Sequence, residues 1–178
     1  TNQCIIQPFD KTNNLEGYNM QTDVWIVLDS CAFLSQNHPE GKLATIHEIE
    51  GELINRQSKQ YFANLVEKGL KLIEPGKESE IHVQNKARET GDLDVLSNPD
   101  LKILALTYEI EGTIISDDFA IQNVALYMGL NYLSCNGNQI KELRRWKYKC
   151  SACNFVTTNK TKSCEVCGSK EIFRIKSK

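Results

Sequence analysis

The unbroken apolar run WIVL at residues 25–28 constrains the fold of this chain more than any other stretch. Such a run is typical of a strand buried on both faces, as in a parallel sheet covered by helices. The run ends at Asp29, and ligands of open α/β sheets bind beyond the carboxyl ends of the strands. Asp29 is therefore a candidate site residue if Ser30 caps the next helix. The alternative is that Asp29 is itself the cap.

Further short apolar runs alternate with helical patterns. Strands are predicted over residues 70–73, 113–116 and 130–133, and helices over 58–68 and 78–89. Ser97 and Pro99 predict the start of a helix whose buried face includes Tyr108, and Asp117–Asp118 opens another. Thr45 and Glu48 have capping-box spacing, and a short helix is expected over 140–146. This alternation predicts an α/β fold with a parallel, helix-covered sheet.

The charges divide the chain of 178 residues into two parts. Residues 1–140 hold 10 Lys/Arg and 20 Asp/Glu, whereas residues 141–178 hold 11 and 3. The basic tail favours a polyanionic partner, although it could instead aid solubility or pack on the acidic part. No stretch is long and apolar enough for a membrane span, and the polar start lacks signal-peptide character, so an intracellular protein without a membrane partner is expected.

Two CxxC pairs, separated by ten residues, lie in the basic tail: Cys150, Cys153, Cys164 and Cys167. Each pair can give two thiolates to one tetrahedral ion, which predicts a closed structural Zn²⁺ site. Two disulfides or a redox CxxC fit less well, because nothing indicates an oxidising compartment. Cys4, Cys31 and Cys135 are expected to be free thiols.

Basic and aromatic residues interleave around these cysteines. Basic side chains contact phosphates, and aromatic rings stack on unpaired bases. Trp146 and Tyr148 are candidates for stacking, whereas Phe155 is better explained as part of a small core; for Trp146 both alternatives stay open. The candidate RNA-binding residues are Arg144, Arg145, Lys147, Lys149, Lys160 and Lys162, with Lys170, Arg174 and Lys176 nearby.

Four acids stand at the predicted carboxyl edge of the sheet or on helices near it: Asp29, Glu52, Asp100 and Asp118. Each has a structural alternative, as a helix cap, a partner of the helix dipole or a solvated flank. If they converge, their charges require a cation such as Mg²⁺ or Mn²⁺. Such an ion activates water and stabilises charge on phosphate.

Neighbouring polar residues rank lower. Asp117 is a candidate auxiliary acid, and Ser116 is placed either to orient a carboxylate or to cap a helix. Asp92 and Asp94 lie in the loop after Gly91 and are expected to be solvated.

These stretches resemble a known family. Asp29 at its strand end, residues 45–48 leading to Glu52, residues 91–106 with Asp100, and SDDF at 116–119 together look like a PIN nuclease domain. The segments LALTYE at 104–109 and DFAIQNVA at 118–125, followed by a four-cysteine ribbon, are similar to the Nob endonucleases of ribosome biogenesis. The short connection between residues 133 and 150 resembles archaeal members, because eukaryotic members carry a long insertion there.

The resemblance implies a PIN-like parallel sheet with helices on both faces over residues 22–140. It also implies a zinc ribbon over 141–178. Residues 1–21 are polar and lack periodicity, so they are expected to be an extension without a counterpart in the family. The implied activity is metal-dependent endoribonucleolytic maturation of the 3′ end of small-subunit ribosomal RNA, with the four acids binding Mg²⁺ or Mn²⁺. Implied partners are precursor ribosomal RNA, the precursor of the small subunit and RNA-binding assembly factors, in the cytoplasm. The alternatives are a toxin-type PIN ribonuclease and a non-catalytic RNA-binding scaffold.

Overall fold

A parallel sheet of five strands forms the centre of the molecule. The structure, a computed structural model, describes residues 24–177, so the predicted extension over 1–21, with Cys4, lies outside the described residues. The strand order is β3-β2-β1-β4-β5, and every neighbouring pair is parallel. The strands are β1 (Trp25–Leu28), β2 (Lys42–Thr45), β3 (Lys71–Leu72), β4 (Thr113–Ile115) and β5 (Asn131–Leu133).

Six helices connect these strands. They are α1 (Ser30–Ser35), α2 (Glu48–Glu52), α3 (Arg56–Glu67), α4 (Lys77–Thr90), α5 (Asn98–Glu109) and α6 (Phe119–Met128). Helix α1 packs on α3, whereas α4 packs on α5 and α6. The first group connects β1 to β2 and β3, and the second connects β3 to β4 and β5, in the opposite direction along the sheet. Right-handed crossovers therefore place the two groups on opposite faces, and the predicted α/β class is confirmed.

The direction of the connections reverses between β1 and β4. These two strands are neighbours, with Val27 opposite Ile114 and Leu28 opposite Ile115. The carboxyl edge at such a switch point is where α/β sheets bind ligands. Asp29 follows β1, and residues 116–118 follow β4, so both candidate segments open into this crevice.

The core confirms that β1 is buried on both faces. Ile26, Val27 and Leu28 are fully buried, as are Ile114 and Ile115 of β4. Helix α5 lies against both strands and is buried over most of its circumference. The prediction that Tyr108 belongs to its buried face was wrong. Its side chain is 42% exposed and stacks on His82, with ring centroids 4.9 Å apart.

The predicted capping box at Thr45 was also wrong. Thr45 ends β2, a strand that the sequence did not indicate, and its hydroxyl donates a 2.6 Å hydrogen bond to the carbonyl of Leu28. Helix α2 begins only at Glu48, without a side-chain cap. The threonine thus joins two strand ends instead of starting a helix, and it holds the end of β1 in place directly before Asp29.

The cysteine-rich tail forms a second, antiparallel sheet. Its strands are β6 (Trp146–Cys150), β7 (Val156–Thr157) and β8 (Ile172–Lys176), in the order β7-β6-β8. The helix predicted over 140–146 was wrong, because α6 supplies the hydrogen bonds of this segment. Gln122 accepts from the Ile140 amide, and Asn123 exchanges two 2.7 Å hydrogen bonds with the backbone of Arg144. The linker therefore lies extended along α6.

The ribbon is docked on the α/β domain through Asp92. The prediction that Asp92 is solvated was wrong: the residue is only 1% exposed. Its carboxylate accepts from Asn123 of α6 and forms an ion pair with Arg174 of β8. Arg174 also donates to the Gly91 carbonyl and lies over the Trp146 ring, 4.2 Å from its centroid. Part of the opposite charge on the two halves is therefore used to hold them together.

Gly91 permits this close approach. It ends α4 in a left-handed conformation with φ of 79°, and a Cβ there would lie 3.0 Å from the Trp146 carbonyl oxygen. Asp94 is exposed as predicted, but it accepts a hydrogen bond from the Tyr148 hydroxyl. Between residues 24 and 177, no helix has the length and apolar character needed to cross a bilayer.

Candidate active site and cysteine centre

Asp29 lies at the switch point with both carboxylate oxygens engaged. Oδ1 accepts a 2.7 Å hydrogen bond from the Ser30 amide, and Oδ2 accepts a 2.6 Å hydrogen bond from the Ser116 hydroxyl. Asp29 is thus the N-cap of α1, and the expectation that Ser30 takes this role was wrong. The capping hydrogen bond uses only Oδ1, so the hydrogen bond from Ser116 is a second, non-local contact that holds the Asp29 carboxylate in position. The residue is 6% exposed.

Ser116 connects Asp29 to Asp118. The Asp118 amide donates a 3.1 Å hydrogen bond to the Ser116 hydroxyl oxygen, whose proton goes to Asp29. Of the two roles considered for Ser116, orientation of a carboxylate is the one observed. Asp118 is exposed and caps α6 by accepting from the Ala120 amide with Oδ1. Its second oxygen has no hydrogen-bond partner in the described part of the chain and is available to a ligand.

Asp100 and Glu52 come from two helices. Asp100 completes a capping box with Ser97 at the start of α5, and its Oδ2 accepts a 2.7 Å hydrogen bond from the Ser97 amide. The structural alternative considered for Asp100 is therefore realised, and its other carboxylate oxygen has no hydrogen-bond partner among residues 24–177. Glu52 is the last residue of α2 and is exposed at the rim.

The acids are close enough to affect one another's ionisation. Burial raises the pKa of Asp29, and the charges of Asp100 and Asp118 raise it further, against the opposing hydrogen bonds from Ser116 and Ser30. The pKa of Glu52 is raised by partial burial and by the charges of Asp29 and Asp100. These effects indicate that the four predicted acids lie near one another at one edge of the sheet, although no three of them have carboxylate oxygens within 4.8 Å of one another.

Among the described residues, these carboxylates have no cationic partner. Within residues 24–177, no lysine or arginine forms an ion pair with any of the four acids. Lys102, only two residues after Asp100, pairs instead with Glu48 and Glu74. A group of carboxylates without a cationic side chain suits a hard divalent cation, which prefers oxygen ligands.

Asp117 belongs to a different cluster. Its Oδ1 accepts hydrogen bonds from the Ser134 hydroxyl and the Asn136 amide. Its carboxylate lies with the thiols of Cys31 and Cys135, all three ligand atoms being within 4.8 Å of one another. The sequence offered no signal for this grouping, because the two cysteines are 104 residues apart.

The four cysteines of the ribbon converge as their spacing predicts. Their sulfur atoms all lie within 4.8 Å of one another, with Cys150–Cys167 at 3.6 Å and Cys153–Cys164 at 3.5 Å. The amide of Cys153 lowers the pKa of Cys150 to about 6, and the amide of Cys167 lowers that of Cys164. Against the hydrogen bond from the Phe155 amide, burial and hydrogen bonds with the other thiols raise the pKa of Cys153 to about 12. The four converging sulfur atoms form a donor set suited to Zn²⁺.

The candidate RNA-binding residues divide into engaged and available side chains. Lys160 is engaged, because its ammonium lies 3.9 Å from the carboxylate of Asp94. Tyr148 is buried, so the suggestion that its ring stacks on bases was wrong. Burial and the hydrogen bond to Asp94 raise the pKa of Tyr148 to about 12. The lysines without an ion pair in the described part of the tail are Lys141, Lys147, Lys149, Lys162, Lys170 and Lys176.

Two arginines of the linker lie over aromatic rings of α6. The Arg145 guanidinium is 5.8 Å from the Tyr127 ring centroid, and that of Arg144 is 5.4 Å from the ring centroid of Phe119. Phe119 is half-exposed and directly follows Asp118. A basic and aromatic surface, which the sequence did not reveal at Phe119, therefore adjoins the acidic edge.

Comparison with known proteins agrees with this architecture. The profile of a family described as "PIN domain of ribonuclease" matches residues 26–110. Endoribonuclease Nob1 of Pyrococcus abyssi is 35% identical over 147 residues, which are 81% of this chain and 89% of the relative. Endoribonuclease Nob1 of Archaeoglobus fulgidus is 31% identical, over 83% of this chain and 89% of its own.

A protein with another name is similar to nearly the same degree. Ribonuclease VapC1 of Thermoplasma acidophilum is 34% identical over 80% of this chain and 74% of its own. All three relatives are named as ribonucleases, and two carry the same name. The chain belongs to the Nob1-type PIN-domain endoribonucleases.

Proposed function

We propose that this endoribonuclease matures the 3′ end of small-subunit ribosomal RNA in a divalent-cation-dependent reaction. One observation carries the proposal: the charges of Asp100 and Asp118 raise the pKa of Asp29 at the switch point of the sheet, those of Asp29 and Asp100 raise the pKa of Glu52, and none of the four acids pairs with a lysine or arginine among residues 24–177. The RNA substrate is inferred from the resemblance to Nob endonucleases. The partner would be the precursor of the small ribosomal subunit, in the cytoplasm, whose reducing conditions keep cysteines as thiols.

Asp29, Glu52, Asp100 and Asp118 would hold Mg²⁺ or Mn²⁺. A bound cation supplies an activated water and neutralises charge on the phosphodiester. The chain's own contribution is orientation. Ser116 and the Ser30 amide fix both oxygens of Asp29, and Ser97 fixes one oxygen of Asp100. Carboxylates held in this way lose little side-chain entropy when a cation binds.

The ribbon would supply RNA affinity. Zn²⁺ held by the four cysteines would be structural, because a four-thiolate site leaves no open position for chemistry. The unpaired lysines of the tail offer charge for phosphate contacts. The contact between Arg144 and Phe119 places a cationic and aromatic surface beside Asp118, which suits an unpaired stretch of RNA that continues to the acids.

A toxin-type ribonuclease remains the second candidate, because VapC1 of Thermoplasma acidophilum is so similar. The two functions differ in substrate. A Nob-type enzyme requires the junction at the mature 3′ end of the small-subunit RNA, whereas a toxin-type enzyme is expected to cut another RNA. A non-catalytic scaffold would bind the junction without cutting it.

The test is cleavage of an RNA that spans this junction, compared with an unrelated RNA, with and without added Mn²⁺ or Mg²⁺. We expect one divalent-dependent cut that leaves a 3′-hydroxyl and a 5′-phosphate. Glu52→Gln should abolish the cut, whereas its matched control Glu50→Gln, on the same helix and exposed, should leave it intact. A cyclic phosphate product, metal-independent cleavage or an active Glu52→Gln enzyme would contradict the proposal.

A further inference from the structure

A second group of metal-ligating side chains lies beside the four acids. Cys31 is in the first turn of α1, Cys135 follows β5, and Asp117 follows β4. The two sulfur atoms are 3.4 Å apart, and the nearest carboxylate oxygen completes a trio within 4.8 Å. All three residues are half-buried, which shields a bound ion from bulk water and still leaves it a path of entry.

The ribbon of the same molecule provides a standard for this geometry. Its two sulfur pairs are 3.5 and 3.6 Å apart, close to the 3.4 Å of Cys31 and Cys135. Two sulfurs bound to one tetrahedral zinc ion, at about 2.3 Å each, lie roughly 3.8 Å apart. The Cys31–Cys135 pair therefore needs only a small expansion to share one ion.

The third ligand is held in position by its neighbours. Oδ1 of Asp117 accepts a 2.6 Å hydrogen bond from the Ser134 hydroxyl and a 3.3 Å hydrogen bond from the Asn136 amide. Hydrogen bonds of this kind orient a carboxylate ligand and are typical of the surroundings of protein metal sites. Oδ2 of Asp117 has no hydrogen-bond partner among residues 24–177 and is available to an ion.

We propose that Cys31, Cys135 and Asp117 bind a thiophilic divalent cation of the Zn²⁺ class. Each thiol releases its proton to solvent as its sulfur binds, and the fourth position stays open to water. The donor set separates this site from its neighbour, because thiolates select Zn²⁺ whereas carboxylates alone suit Mg²⁺ or Mn²⁺. The proposal concerns binding only and does not depend on the RNA substrate.

The test is a Co²⁺ titration of the full chain, purified under reducing conditions and carrying one equivalent of zinc, which is enough for the ribbon alone. Co²⁺ bound to thiolates produces a sulfur-to-metal charge-transfer absorption that Mg²⁺ does not. We expect one equivalent of Co²⁺ to produce this absorption while zinc analysis shows that the ribbon keeps its ion. Cys135→Ser should remove most of the absorption, and Asp117→Asn should weaken Co²⁺ binding roughly tenfold or more.

Asp118→Asn is the matched control, since it removes the same charge one residue away and outside the trio. It should keep the absorption at saturating Co²⁺. The proposal is overturned if the wild type gains no absorption beyond that of Co²⁺ that has replaced zinc in the ribbon, or if Cys135→Ser keeps the absorption. It is also overturned if the protein purified under reducing conditions has a mass two hydrogens below that of the fully reduced chain, because Cys31 and Cys135 would then form a disulfide. Asp117→Asn leaves both sulfurs in place and remains decisive if Cys135→Ser does not fold.

Discussion

The Ser116 hydroxyl donates a 2.6 Å hydrogen bond to Oδ2 of Asp29 and thereby joins the ends of two neighbouring parallel strands. The same hydroxyl oxygen accepts from the Asp118 amide. One serine therefore positions two of the four acids. Asp29 and Ser116 are 87 residues apart in sequence, and their contact exists only because β1 and β4 pair.

Ser116→Ala should shift the pH dependence of cleavage to higher pH. The hydrogen bond from Ser116 lowers the pKa of Asp29, so its removal raises that pKa, and the ionised carboxylate is the form that holds a cation. Loss of a buried partner should also cost about 1–3 kcal/mol of stability. Cleavage rates across pH and thermal unfolding measure the two effects. Ser134→Ala, which removes a hydrogen bond to Asp117, should leave the pH profile unchanged.

Asp29→Asn should abolish cleavage and raise stability at neutral pH when no Mg²⁺ or Mn²⁺ is added. Because folding raises the pKa of Asp29, its favourable contribution exists below the unfolded pKa of about 3.9 and is lost as pH rises through the folded pKa. Asparagine avoids the buried charge and can still accept from the Ser30 amide. Melting temperatures should differ at pH 7 and converge in acid. A variant that is less stable at pH 7 would instead indicate a structural carboxylate.

Arg174→Ala should destabilise the whole molecule by about 2–4 kcal/mol, because it leaves the buried Asp92 carboxylate without its ionic partner. Lys160→Ala removes an exposed ion pair with Asp94 and should cost less than about 1 kcal/mol. Denaturant unfolding of both variants measures the difference. Equal stability of the two would show that the ribbon is not held through Asp92.

Cys150→Ser should reduce the zinc content at the four-cysteine site, measured by elemental analysis. Zinc binding and folding of a small ribbon are coupled, so the ribbon should unfold. Since Arg174 then no longer reaches Asp92, the α/β domain should remain folded but melt at a lower temperature. A variant with full zinc, or with an unchanged melting temperature for the α/β domain, would contradict this prediction.

Lys162→Ala should weaken RNA binding and flatten its dependence on salt. Each phosphate that a lysine neutralises on a single strand contributes about 0.7 to the slope of log affinity against log salt concentration, through release of counterions. Lys162 is exposed and pairs with no acid among residues 24–177. Lys59→Ala, an equal change of charge on α3, should leave the slope unchanged. If both variants give the wild-type slope, Lys162 does not contact RNA.

The parts of the fold that could be predicted have local signals. The run at residues 25–28 indicates a buried strand by itself, and Ser97, Pro99 and Asp100 mark the start of α5 within four residues. The two CxxC pairs likewise define their cluster within eighteen residues. Strand β2 was missed because two of its four residues are polar and because Thr45 has the spacing of a capping box with Glu48. The actual hydrogen-bond partner of the Thr45 hydroxyl is the carbonyl of Leu28, which lies 17 residues earlier.

The rest depends on contacts between distant residues. From the sequence, Asp92 could only be assigned to a loop, because its ionic partner Arg174 lies 82 residues later. Cys31 and Cys135 were predicted only as free thiols, because their contact exists only where the carboxyl ends of β1, β4 and β5 lie side by side. In neither case did the sequence indicate a partner, because only the tertiary arrangement determines which of these residues meet.

The docking of the ribbon through Asp92 also determines when the α/β domain can complete its contacts during translation. Chains fold from the N-terminus as they are made. Asp92 emerges 31 residues before Asn123 and 82 residues before Arg174, so its carboxylate must stay hydrated until β8 has been translated. A nascent chain that already carries all four acids therefore has an unfinished domain. The nuclease becomes complete only when its cysteine-rich ribbon has folded, so the two parts mature together.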